Sequence, residues 1–437
     1  MVWQRRVQPQ RPRERRRQAA ARPAAAPPAA RAALAALAVL AALVALPASA
    51  SAQGGLPGRV RTIAGATFDG ALAVADGMAR AQAADGERRF DLAELAAFAP
   101  TGAASKPVAA PHRVWLRSGL ELPATALAGV PAAAGAPARL VVTLPAGVDV
   151  AVPLAMVRAL RHGGAERPEP ALFAADRKQP LADADLLYVV RDGKAQRSAV
   201  TLRGFGASTV DFTLRGEEYE FATAGVAAVV FGDATGAAPD RQPKPRARLQ
   251  LVSGEALDGK LLALGADGAR LRLDEGAEVG VPAAAVLDLQ MQSDRLVWLS
   301  DLQPKVEQTP AFDRVWPIGV DRTPAGKGLQ LGGVAHARGL CLVPRARLTY
   351  DLGGRFDVFE AVVGIDDRAG PDAHALLRVL VDGVVVWDGG ARVRGQQPAS
   401  LRLELKKAKS LALEADFGSN YDLGDFCVFA DARLVQQ

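Results

Sequence analysis

"VFEAVVGIDDRAG" runs from Val358 to Gly370. An apolar run ends in two adjacent acids, Asp366 and Asp367, followed by a basic residue and a glycine. Neighbours on an extended strand point to opposite faces, so these two carboxylates cannot converge on one bond. Acid–base hydrolysis of a glycoside needs two carboxyls that face each other across several ångström. The stretch therefore reads as a strand that stops at an acidic turn, with one aspartate bonded to turn amides. Two other uses stay open: a calcium corner, in which Asp366 or Asp367 joins backbone carbonyls, and direct contact with a ligand.

The flanking sequence has the same character from about Trp316, which is expected to plug a core. "RLTYDLGG" alternates and stops at Gly353-Gly354, and "ALLRVLVDGVVVWDGG" is a hairpin turning at Asp382-Gly383. "ASLRLELKKAKSLALEADFG" supplies two further strands and "DFCVFADARLVQQ" a last one. About eight strands in roughly 125 residues suggest a jelly-roll β-sandwich.

These stretches resemble the NPCBM domain, a carbohydrate-binding-module family of secreted bacterial proteins and some glycosidases. The resemblance lies in "LQLGGVAHARGL", "RLTYDLGGRFDVFEAVVGIDD", "LLRVLVDGVVVWDGG", "KSLALEADFG" and "FADARL", in that order over 312–437. It implies a galactose-binding-like β-sandwich that binds glycans without hydrolysing them. Two places depart from the family pattern. Val343 in "RGLCLVPRARLTYDL" stands where a histidine is usual. "GDFCVFAD" supplies Phe426 and Val428 where the family favours D-H-x-D-W. Cys341 takes the place of a family glycine and Cys427 lies on the last strand, so paired first and last strands would allow one disulfide; the alternative is two buried thiols. For sugar contact, Trp387 and Tyr421 offer flat faces, and Asp388, Asn420 and Asp422 offer hydrogen bonds nearby. Trp387 has a second reading as hairpin packing.

Upstream, four weakly similar units lie between about 59 and 295. Each opens with a short apolar run and a turn centred on glycine: Gly65, Gly119, Gly193 and Gly254. Each closes with two apolar residues five apart: Phe90 and Leu95, Val152 and Val157, Phe221 and Val226, Val281 and Val286. Period-two alternation (Leu249 and Leu251, Leu271 and Leu273) marks strands. Each unit reads as a small SH3-like or Sm-like β-barrel, with expected bounds 53–110, 111–165, 184–233 and 246–299. Proline-rich polar stretches at Ala234–Arg248 and Ser300–Arg314 read as linkers.

Residues 1–52 read as a signal peptide. A basic region precedes the apolar run Ala32–Leu46, and Ala50-Ser51-Ala52 is an A-x-A site. The apolar run is short for a membrane span; an uncleaved anchor is the alternative. Nine of the 53 basic residues and one of the 47 acids fall in this leader, so the rest is near neutral, about −2. That removes the electrostatic case for nucleic acid. Two cysteines, no HExxH and no CxxC argue against a zinc site. His112, His162, His336 and His374 are scattered, with no GxSxG, P-loop or dinucleotide motif.

The sequence thus predicts an exported, non-catalytic, all-β protein: an array of small barrel repeats, then a galactose-binding-like jelly-roll sandwich. The expected partner is a glycan, a cell-surface or extracellular polysaccharide, with no cofactor beyond a structural calcium. The alternative is an envelope assembly protein that binds protein partners and has lost its sugar site; an exposed apolar patch at Val343, Phe426 and Val428 would favour it.

Overall fold

The computed structural model describes residues 4–5 and 54–437, apart from 134–135, 164–169, 180, 182–183, 192, 207, 234–235, 310–314 and 419–423. The leader's apolar run and cleavage site lie outside the described residues. The chain is all-β. The first unit holds β2 (Leu56–Thr62), β3 (Thr67–Ala75), β4 (Met78–Ala83), β5 (Gly86–Asp91) and β6 (Leu95–Pro100). The second holds β7 (His112–Leu116), β8 (Glu121–Ala124), β9 (Ala126–Val130), β10 (Arg139–Thr143), β11 (Asp149–Pro153) and β12 (Val157–Arg161). The third holds β13 (Asp185–Arg191), β14 (Lys194–Phe205), β15 (Thr209–Leu214), β16 (Glu217–Ala222) and β17 (Val226–Val230), with β1 (Gln4–Arg5) along the edge of β16. The fourth holds β18 (Arg246–Leu251), β19 (Ala256–Gly265), β20 (Gly268–Leu273), β21 (Glu278–Pro282) and β22 (Val286–Gln292). A four-residue helix, α1 (Phe173–Asp176), lies between the second and third.

The sequence echoes have a common local cause. Between the two closing apolar residues of each unit sits a 3-10 turn: Leu92–Glu94, Leu154–Met156, Thr223–Gly225 and Ala283–Ala285. One turn of this helix reverses the chain, so residues on either side both face the barrel core; Val152, Val157, Val281 and Val286 are buried. The opening glycines of units one, two and four sit in one shared turn. Gly65, Gly119 and Gly254 have φ of +91°, +95° and +107°, and each amide donates to a carbonyl three residues back at 3.0 Å. A side chain is strained there. Gly193, at φ +71°, serves a plain hairpin between β13 and β14.

The units pair in a nested order. The first joins the fourth through β6–β22, with Phe98 opposite Leu289, and through β3–β19, with Val74 opposite Leu264. The second joins the third through β12–β17, with Leu160 opposite Val229. One hydrophobic core runs through all four.

The sandwich follows. One sheet has the order β25 (Gly319–Val320), β28 (Gly339–Leu342), β35 (Cys427–Val435), β30 (Val358–Ile365), β33 (Ala399–Glu404), with β23 (Leu296–Trp298) also against β35. The other runs β24 (Lys305–Gln308), β29 (Ala346–Asp351), β34 (Ser410–Phe417), β31 (His374–Val381), β32 (Val384–Val393). Leu348, Tyr350, Phe359, Leu377, Leu413 and Phe429 fill the space between. A short hairpin, β26 (Leu329–Leu331) and β27 (Val334–His336), covers the outer side. The stretch expected to be a linker at 300–314 supplies β24, which pairs with β29, and the sheets extend N-terminal of 312 to Leu296.

The expected disulfide does not form. Cys341 lies opposite Val428, and Cys427 lies opposite Leu342. Directly opposed residues share a face, so a one-residue offset puts the two thiols on opposite faces of the sheet. Cys341 packs with Leu329 and Leu331, Cys427 with the sandwich core. Both thiols are free and buried, and burial pushes both above the usual thiol range.

Candidate functional site

The acidic pair at the end of β30 is a fastener. Asp366 is fully buried. Its Oδ1 accepts from Arg368 N at 3.0 Å and Arg368 Nε at 3.1 Å, and its Oδ2 from Gln330 N at 2.9 Å. Asp367 points the other way, and its two oxygens accept from Gly332 N and Gly333 N at 2.9 and 2.8 Å. Both glycines have positive φ, which turns their amides toward the carboxylate. The pair clamps the β26–β27 hairpin to the strand end. All four oxygens take N–H donors, so in this structure both carboxylates serve to fasten the hairpin. Among the described residues no group of three or more His, Cys, Asp or Glu is arranged to hold a metal.

Trp387 and Asp388 do not act together. Trp387 lies opposite Val379 on the inner face and packs at the edge of the sandwich core, with Arg392 5.9 Å from the centre of its ring. Asp388 lies opposite Arg378 on the outer face, 3.3 Å from its Nε. The N–H of Gly390 and then Arg378 hold the Asp388 carboxyl below the usual carboxylate range. Arg378 reaches on to Glu414 at 3.1 Å, and Glu414 to Arg347, so Asp388 ends an ion ladder across four strands.

Asn420, Tyr421 and Asp422 lie outside the described residues. The stems of their loop are described, and both rest on His374 at the start of β31. Gly418 N donates to His374 O at 3.1 Å, and a Cβ at Gly418 would collide with the His374 ring. Asp425, fully buried, accepts from His374 N at 2.9 Å. Beside them Arg345 stands 5.9 Å from the Phe417 ring and 3.3 Å from Asp416. Arg345, His374, Phe417 and Asp425 thus mark the loop end of the sandwich, and sequence reasoning missed them as a group. They are far apart in sequence, and only the strand order β29-β34-β31 brings them to one edge.

The two family departures lie inside the fold. Val343 and Val428 are buried and Phe426 packs against the core, so they form no exposed apolar patch. His162 is also buried, its ring 5.3 Å from that of His112. No helix of the described residues is long and apolar enough to cross a membrane.

The chain matches no curated protein. Among solved structures it is similar to a CBM51 from Clostridium perfringens GH95 in complex with methyl-galactose. The two share 24% identity over 32% of this chain and 99% of that one, with a TM-score of 0.29. It is also similar to tandem CBM51 modules of the Streptococcus pneumoniae SP3-BS71 family 98 glycoside hydrolase, at 14% identity over 69% and 84% of the two chains, TM-score 0.30. A third is a structure of CBM51-2 with GlcNAc and INT domains from Clostridium perfringens ZmpB, at 19% identity over 38% and 36%, TM-score 0.30. The family model described as NPCBM/NEW2 domain matches residues 295–435, from the start of β23 to the end of β35. That match places the C-terminal sandwich in the NPCBM/NEW2 domain family.

Proposed function

We propose that this is an exported, non-catalytic protein that recognises cell-surface or extracellular polysaccharide through the loop end of its sandwich. The observation that carries the reading is the match of the carbohydrate-binding-module family across the entire sandwich. Export rests on the leader pattern of residues 1–52. Asp366 and Asp367 point to opposite sides and are each bound to N–H donors rather than facing one bond, which supports a binding role over glycoside hydrolysis. The test is a glycan-array screen of the full chain with and without calcium. Selective binding that Tyr421→Ala abolishes and Trp387→Ala leaves in place supports the loop end. A blank array from folded protein overturns the reading.

One observation favours the envelope-assembly alternative. Val384, Val385 and Val386 on the edge strand β32 are 66%, 45% and 45% exposed, with Val393 close behind. An apolar sheet edge is a surface that a protein partner can cover. Co-purified envelope proteins lost with Val385→Lys would move the assignment to that reading.

A further inference from the structure

The array and the sandwich meet at a buried, charged junction. Its centre is Trp298, with the guanidinium groups of Arg338 and Arg433 5.4 and 5.3 Å from its ring. From the array side, β22 presents Asp288 and Gln290. Asp288 is half-buried as a residue; its Oδ1 and Gln290 Oε1 are enclosed and meet no donor among the described residues, while the Gln290 side chain hydrogen-bonds the Asp288 carboxyl. From the sandwich side, the charges of Asp431 and Arg433 of β35 and of Arg338 before β28 act on Asp288. Both arginines already serve other acids. Arg433 donates to Glu360 at 2.8 and 2.6 Å, and Arg338 donates to Asp301 at 2.7 Å. Asp431 sits 2.9 Å from His336 Nδ1 and is held at φ +50°. The enclosed carboxyl of Asp288 therefore feels the carboxylate of Asp431, opposed in part by Gln290, Arg338 and Arg433, whose guanidinium groups also bond other acids.

We propose that this junction is a proton-controlled latch, closed when Asp288 carries a proton and loosened when Asp288 gives it up. Burial first, then Asp431, push the Asp288 carboxyl up to about 7. A carboxyl raised on docking favours the docked form at low pH. It loses that contribution as pH climbs from the ordinary carboxylate range to about 7. Each pH unit in that window lowers the docking equilibrium by up to about tenfold. Glu360 acts oppositely, because burial is outweighed by Arg433 and Arg61 and its carboxyl lies below the usual range. Its loss sets in only at pH below the window.

The experiment is hydrogen exchange on the full chain from pH 5 to 8, corrected for intrinsic rates, read on peptides spanning 286–298 and 429–435. Protection in the natural protein is expected to fall at least tenfold between pH 5 and 7.5, and Asp288→Asn is expected to hold the pH 5 level throughout. If Asp288→Asn does not fold, Asp431→Asn, which removes the repulsion and leaves the burial, is expected to shrink the fall and end it at lower pH. Constant protection in the natural protein, a loss that persists in Asp288→Asn, or a profile that Asp431→Asn leaves unchanged overturns the latch.

Discussion

Asp366 gave up its water on folding, and the N–H groups of Gln330 and Arg368 stand where that water was. Asp366→Ala keeps the donors and removes the acceptor, so their desolvation goes uncompensated. The expected loss is about 2–3 kcal/mol, read by urea denaturation followed through the sandwich. Asp367 is part-exposed and its two glycine amides can turn to water, so Asp367→Ala should cost about 1 kcal/mol or less. The opposite orientation of the two acids was legible in "GIDD", because period two follows from strand geometry alone. What each acid meets was not, since Gln330, Gly332 and Gly333 arrive from a hairpin more than thirty residues upstream. The cysteines show the same limit from the other side. Pairing of the strands that carry Cys341 and Cys427 could be expected, but a single-residue change in register reverses which thiols share a face. Both thiols should therefore react with a thiol reagent only after denaturation, with the same two equivalents whether or not a reductant was used first.

At the scale of elements, the repeated turns were readable because their signal is local. A 3-10 turn between two core residues fixes their spacing at five, and a turn that needs positive φ calls for glycine. The edge strand β24 was not readable. "KVEQ" has no buried face, three of its four residues are exposed, and its place in the sheet comes from backbone bonds to β29. Nested pairing is also invisible in sequence, as it depends on which strand edges each unit leaves for another to pair with. The seam between the first and fourth units is the sharpest test of that pairing. Phe98 is fully buried on β6 opposite Leu289 of β22, and a Cβ at Gly58 would lie 2.7 Å from its ring. Phe98→Ala should cost about 3–5 kcal/mol. If the two units are one cooperative body, a denaturation probe placed in the fourth should report that loss as strongly as one in the first.

For the whole molecule, the question is whether the array and the sandwich are two bodies on a tether or one. The segment that joins them, from Ser293 to Lys305, includes β23, and its Trp298 donates from Nε1 to Met291 O at 3.0 Å while packing with Ile63, Ala96, Val358 and Val435. Beside it, buried Glu360 of the sandwich receives Arg61 from the first barrel at 2.9 Å, together with Arg433 and Arg402. Apolar contact and a shared counter-charge across the same boundary predict one cooperative transition by scanning calorimetry. Glu360→Gln removes the charge and leaves the side chain of Arg433, 3% exposed, facing Arg61 without an acid between them. Arg61 is 36% exposed and can turn to water, so the cost of about 3–5 kcal/mol comes from stranding buried Arg433; it falls on the boundary, so the variant's single peak should split in two. Acid should approach the same result in the natural protein. The Glu360 carboxyl lies below its usual range when folded, so its contribution is present above about pH 4.5 and is lost as pH falls through the lower folded value. A variant that still melts in one transition at the natural temperature would mean that the apolar patch around Trp298 holds the two bodies together alone, with the ion cluster serving only to keep Arg433 and Arg61 soluble inside it.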